Sequence, residues 1–350
     1  MSETNPKTPV KRLWNLLKLD KKDVKHILFY ALFAGLINLS VPLGIQAIVN
    51  LIQGGKVSTS WIVLVVLVTL AVGLVGVFEL LQLRLMENIQ QKIFTRSSFE
   101  FAYRFPKIKS EALQNIYPPE LANRFFDILT VQKGLNKLLL EFPSALVQIV
   151  LGLILLSLYH PFFIMYSILL VVLLYAVFKF TGRKGLFTSL DESKHKYQVV
   201  YWIQEVARNI NSFKISGRSR LALEKNDRHT EKYLIERESH FGILKLQYIK
   251  LIIFKVLVAG GLLAVGGMLV LNQQMNIGQF VAAEIIILLI IASVEKAIQG
   301  LDEVYDTLTS IEKLGQVVDK PLELAESDNK VDASNGIKIE FKDVSFEPEG

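Results

Sequence analysis

Residues that could do chemistry in this chain are of three kinds: ionisable side chains inside apolar runs, amides near the ends of those runs, and short polar turns between helical stretches. Glu284 is the sharpest of the first kind, two helical turns into an apolar run. A carboxylate in hydrocarbon is costly and faces a cavity or a partner. Glu284 therefore either contacts a cationic substrate or pairs across an assembly, or it hydrogen-bonds within a bundle or holds a proton. Glu79 and Lys255 fall nearer the ends of such runs, where long side chains snorkel to the interface, and Glu295 and Lys296 fall where a run ends. Gln46 and Asn50, with Asn38 and Pro42, either line a polar path or kink and hydrate one helix. Gly260-Gly261 and Gly266-Gly267 permit close helix packing.

Catalytic spacing is absent from the sequence. There is no cysteine, which excludes disulfides, thiolate metal sites and cysteine nucleophiles. His26, His160, His195, His229 and His240 are scattered without metal-ligand spacing, and no Gly-x-Ser-x-Gly elbow exists. ATP hydrolysis needs a Gly-x-x-x-x-Gly-Lys-Ser/Thr cradle of backbone donors, and Gly55-Lys56 is followed by Val57 instead. No metal site and no catalytic residue is expected.

Composition says where these residues sit. With 51% hydrophobic residues and a mean hydropathy of +0.37, the 350 residues are too apolar for two water-soluble cores. The net charge of +6 is not gathered into a basic, aromatic-bearing patch, which argues against a nucleic-acid partner. Six apolar runs, at 27–52, 61–83, 142–159, 162–180, 249–271 and 277–294, approach the length of about 20 residues that a helix needs to cross a bilayer. They form three hairpins, turning at Gln53-Gly54-Gly55-Lys56, at His160-Pro161 and at 272–276. The runs lack period-two alternation, which argues against a β-barrel.

Lys and Arg set the orientation. The N-terminal segment 1–26 carries seven, residues 84–137 carry nine and residues 179–250 carry fifteen, whereas the three hairpin tips carry Lys56 alone. Positive charge collects on cytoplasmic loops, so both termini and both long loops are expected in the cytoplasm. The first apolar run is too long and too far from the N-terminus for a cleavable signal peptide.

Both long loops read as helical extensions of the spans. In 82–105, Leu85, Ile89, Ile93, Phe94 and Phe101 recur at helical spacing until Pro106. In 199–215, Val199, Ile203, Val206, Ile210 and Phe213 form an apolar stripe opposite Gln204, Arg208 and Asn211. Such stripes need cover in water, most simply from each other. The expected fold is an all-α membrane protein: a six-helix membrane domain over 27–312 with long cytoplasmic extensions. An acidic linker over 313–336 follows, and then the alternating Ile337-Lys338-Ile339-Glu340-Phe341, read as the first β-strand of an incomplete domain at 337–350.

This order of parts resembles the transmembrane half of ABC transporters with a type I exporter fold, nearest to those that secrete peptides or toxins. In the first loop Phe105-Pro106, then Pro119-Glu120-Leu121-Ala122-Asn123-Arg124-Phe125 and Asp127, is similar to the family's Leu-Pro, Gly-Glu/Asp, Arg and Asp segment, with Pro119 where the family usually has glycine. Glu205 to Ile210, Phe213-Lys214, Gly217 and Arg218 resemble the second-loop pattern, Ile277-Gly278-Gln279-Phe280-Val281-Ala282 the opening of the sixth helix, and 339–346 the first strand of the ATPase domain. Pro348 stands where the family places its adenine-stacking aromatic.

The resemblance implies a multi-pass protein of the cell (inner or plasma) membrane working as a dimer of halves, with ATP and Mg2+ bound in an ATPase domain outside these residues. It implies coupling segments at Leu113, Gln114, Asn115, Ile116, Tyr117 and Pro118 and at Ile215, Ser216, Gly217, Arg218 and Ser219, seated on the chain's own or a partner's ATP-binding domain. Glu284 and Gln46 are the pathway candidates. Two other readings stand beside export: a multi-pass signalling or regulatory protein, and a secondary transporter, which would show inverted repeats and broken midplane helices.

Overall fold

The computed structural model describes residues 8–55, 59–113, 116–217, 220–323, 340 and 342–345, excluding the side chains of 176–183. Eleven α-helices account for nearly all of these residues. A short amphipathic helix, α1 (Pro9–Lys18), precedes the hairpin of α2 (Lys21–Gln53) and α3 (Thr59–Arg104). α4 (Pro118–Asn123) and α5 (Asp127–Asn136) lead through one wide π-type turn at Lys137–Glu141 into α6 (Phe142–Ser157). The second hairpin joins α6 to α7 (Pro161–Arg208), and α8 (Ile210–Ile215) links α7 to α9 (Leu221–Leu271). α10 (Ile277–Gln299) and α11 (Leu301–Val318) complete the bundle. α11 runs past Lys313, where the sequence reading begins the linker. Most of the strand expected at 337–346 lies outside the described residues.

The chain breaks where its residues cannot continue a helix. Pro106 ends α3 in a single 3-10 turn, Phe105–Lys107, because a ring nitrogen supplies no N–H. At the second hairpin Pro161 opens α7, and the His160 Nδ1 caps it by accepting from the Phe162 N–H at 3.1 Å. α10 starts in a reciprocal capping box: the Gln279 N–H donates to Asn276 Oδ1 at 2.7 Å and the Asn276 N–H to Gln279 Oε1 at 3.0 Å.

Among the described residues, five helical stretches are long and apolar enough to cross a membrane: Lys21–Gln53, Thr59–Lys107, Pro118–Ser157, Leu221–Leu271 and Ile277–Val318. Pro161–Tyr175, at the start of α7, is a shorter apolar helix. α10 is central, packed against α2, α6 and α9. Its Ile286, Ile287, Ile290 and Val294 are fully covered by Leu153, Leu156, Phe163, Leu251, Phe254 and Val258 of α6, α7 and α9. A second core lies where the spans become stalks, with Ile27, Met86, Ile89, Ile93, Ile128, Val131, Leu135 and Ile311 in contact.

The stalks are covered, though not by each other. The α3 stripe buries Ile89, Ile93 and Phe101 as the spacing predicts, but against α5 and α11. α7 packs along α9 and α11. On α7 the buried face is offset from the expected stripe: Trp202 is covered, whereas Ile203 is 55% exposed and Ile210, beyond the break at Asn209, is 50% exposed. Trp202 wins because its indole N–H donates to the Ala222 carbonyl at 3.0 Å and its ring carries the Lys225 ammonium at 4.3 Å, both on α9.

Candidate functional site

The candidate site is built from the tips of the two long loops that join the hairpins. In the first, the chain leaves α3, turns at Ser110–Leu113 and re-enters helix at Tyr117-Pro118, with proline at the first position of α4 where a missing N–H costs nothing. The Ile116 N–H donates to the Leu113 carbonyl at 3.0 Å. Leu113, Ile116 and Tyr117 are half-buried and Pro118 is exposed, while Gln114 and Asn115 lie outside the described residues.

The first tip is fastened to the chain that leaves α11. Ile108 and Leu322 form an antiparallel bridge. The Lys109 N–H donates to the Pro321 carbonyl at 3.1 Å, the Glu323 N–H to the Lys107 carbonyl at 2.7 Å, and the Lys320 ammonium to the Ala112 carbonyl at 2.8 Å. Three hydrogen bonds, two of them forming the bridge, thus tie one loop to the segment read as part of the linker.

In the second tip, α8 is held against α7 by the edge-to-face contact of Phe213 with Trp202, centroids 6.2 Å apart. The Ser216 hydroxyl donates to the Phe213 carbonyl at 3.1 Å, and Gly217 turns the chain at φ +72°, a left-handed conformation that a side chain would strain. Apolar side chains are left uncovered here: Ile215 is 86% exposed and Leu223 75%. Arg218 and Ser219 lie outside the described residues. The tips are neighbours, because the Arg208 guanidinium, one residue before the α7 break, sits over the Tyr117 ring at 4.9 Å.

The pathway candidates are elsewhere, in the spans. Glu284 is half-buried on α10 and makes no hydrogen bond or ion pair among the described residues. Gln46 accepts a hydrogen bond from the Tyr159 hydroxyl at 2.7 Å, tying α2 to the end of α6. Asn50 lies where only a glycine fits: a Cβ on Gly278 would stand 2.2 Å from Asn50 Oδ1 and 3.0 Å from the Gln46 carbonyl oxygen. α2 and α10 meet at that point.

Several polar contacts escaped the sequence reading. Lys255 and Glu295, read separately as interfacial, pair at 2.5 Å between α9 and α10. Buried His240 of α9 joins Thr188 of α7 through Nδ1 at 2.8 Å and Asp302 of α11 through Nε2 at 3.0 Å. The His240 contact holds the Asp302 carboxyl below its ordinary range, while burial pushes Asp306, one turn on, above it. Asp127 accepts from the Tyr197 hydroxyl and from Ser310 at 3.4 Å, and burial raises its pKa as well. The sequence reading named Asp127 and His240 without partners, and the fold supplies them.

No curated protein matches this chain. The family pattern described as the ABC transporter transmembrane region covers residues 26–294, from the start of α2 to within α10. A helical bundle with long apolar helices and long helical connections between them agrees with that match, and the chain belongs to the ABC transporter transmembrane region family.

Proposed function

We propose that this chain is one half of an ATP-driven exporter of type I fold, with six spans, both termini cytoplasmic, and two cytoplasmic tips that carry motion from an ATP-binding domain to the spans. The fourth span in this reading, which brings the five long stretches to six, begins at Pro161–Tyr175 and continues along α7. The observation that carries the proposal is the joined pair of tips: Tyr117 under Arg208, with Ile108 bridged to Leu322 on the chain leaving α11. A push on either tip reaches the α3, α7 and α11 stalks together. Ile215 and Leu223, exposed at the second tip, supply an apolar surface for an ATP-binding domain, the chain's own or a partner's.

A second half, read as an identical copy, fits the outer face of α3, where Ile62, Val66, Leu70 and Val77 are exposed. ATP and Mg2+ do not fit the residues of this chain, which has no Gly-rich phosphate loop, so hydrolysis belongs to the ATP-binding domain. A peptide or toxin cargo follows from the loop resemblance alone. Glu284, unpaired and half-buried, is the first pathway residue to examine for contact with cationic cargo.

The test is the ATPase rate of the chain reconstituted in lipid with its ATP-binding domain, with and without replacement of Lys214 and Arg218. Hydrolysis that persists but no longer responds to cargo supports the coupling role. Unchanged coupled transport in both variants overturns it.

A further inference from the structure

A cavity of about 300 Å³ opens beside the first tip, between α4, α7 and α11. Its wall combines Arg124, Lys194 and Lys313 with Tyr117, Tyr197 and Tyr201, and the carboxylate of Glu120. Three cations thus face one carboxylate. Asp127, whose charge also acts on Lys313, accepts from the Tyr197 hydroxyl and the Ser310 hydroxyl.

The cations are incompletely matched. Arg124 reaches Gln316 through one terminal nitrogen and Glu120 through the other at 3.5 Å, which leaves its buried Nε without a hydrogen-bond partner. Lys313 makes no ion pair among the described residues, and its ammonium lies 5.2 Å from the Tyr197 ring. Burial and then the like charge of Arg124 push the Lys313 pKa down. An excess of positive charge held in a partly dry pocket is relieved by a compact anion, most effectively one with several acceptor oxygens for guanidinium, ammonium and phenol donors.

We propose that this cavity binds a phosphate group, free or carried on a small metabolite or a lipid headgroup, through Arg124, Lys194 and Lys313. The occupant would bridge α4 of the first tip to α7 and α11. The site is separate from the apolar surface offered at Ile215, and it stands whether or not the coupling proposal does.

The probe is inorganic pyrophosphate titrated calorimetrically into the chain in nanodiscs of uncharged lipid, followed by the same measurement with phosphoinositide-containing vesicles competing. Pyrophosphate binding that weakens at least about tenfold in Lys194→Gln/Lys313→Gln, and is kept in Lys92→Gln, is expected. Binding should also weaken as pH rises through the lowered Lys313 range, since the neutral amine loses its attraction. Competition by the vesicles would mark a headgroup as the source, and its absence a soluble phosphate. Lys194→Gln alone keeps the test valid if the double variant unfolds, because Lys194 is exposed. No binding by the unaltered chain to either probe, or equal binding by the variants, overturns the proposal.

Discussion

Arg208 lies over the ring of Tyr117, 4.9 Å from its centroid, and by that contact the two long loops of the chain meet. Nothing else described joins the first tip so directly to the end of α7. The contact is partly exposed, so its contribution to stability is small, about 0.5–1 kcal/mol. Tyr117→Ala is accordingly expected to leave the melting temperature almost unchanged while lowering cargo moved per ATP, measured in proteoliposomes containing the ATP-binding domain. Tyr117→Phe should restore it.

Gly278→Ala tests the meeting of α2 and α10. Its Cβ would fall 2.2 Å from Asn50 Oδ1, and the Gln46 backbone oxygen at 3.0 Å prevents simple relief. A loss of roughly 1–3 kcal/mol is expected from overpacking. Asn50→Ala in the same chain should recover part of it, read from thermal melts in detergent.

Lys255 and Glu295 predict a non-additive pair. Removing one partner leaves a charge without its mate between two spans, at a cost of about 1–3 kcal/mol. Lys255→Met and Glu295→Gln should each lower the melting temperature, and the double variant should lie above either single one. Additive losses would show that the 2.5 Å contact carries no coupling.

The aspartates of α11 give opposite pH signatures. Asp302 has a depressed folded pKa, so its contribution is present above the unfolded value near 3.8 and is lost as pH falls through the folded one. Asp306 has a raised folded pKa, so its penalty builds as pH rises from the unfolded value near 3.8 to the folded one and is full above it. Melts from about pH 7 down to about pH 3 should show Asp302→Asn destabilised at neutral pH, the difference closing in acid, and Asp306→Asn stabilised at neutral pH, again closing in acid.

Span length and proline decided most of the architecture, and both are local properties of the sequence. The break at His160-Pro161, the α10 cap at Asn276 and Gln279 and the end of α3 at Pro106 all follow from residues within a few positions of each other. The covered face of α7 did not, because apolar residues lie on two of its faces and the choice of Trp202 over Ile203 depends on Ala222 and Lys225 of α9. The same holds for Ile108 with Leu322 and for His240 with Asp302, partners separated by long stretches of chain. The contact between the two loops at Tyr117 and Arg208 likewise comes from the fold alone.

The central claim is that the exposed second tip receives motion from the ATP-binding domain. Because the chain has no cysteine, labels can be placed cleanly at Leu158 and Leu271, both exposed at the outer ends of α6 and α9. The distance between these labels, within and across the assembled halves, should change on addition of ATP and vanadate, and Ile215→Glu should abolish the change without altering the melting temperature. An ATP-driven change that survives Ile215→Glu would contradict the account.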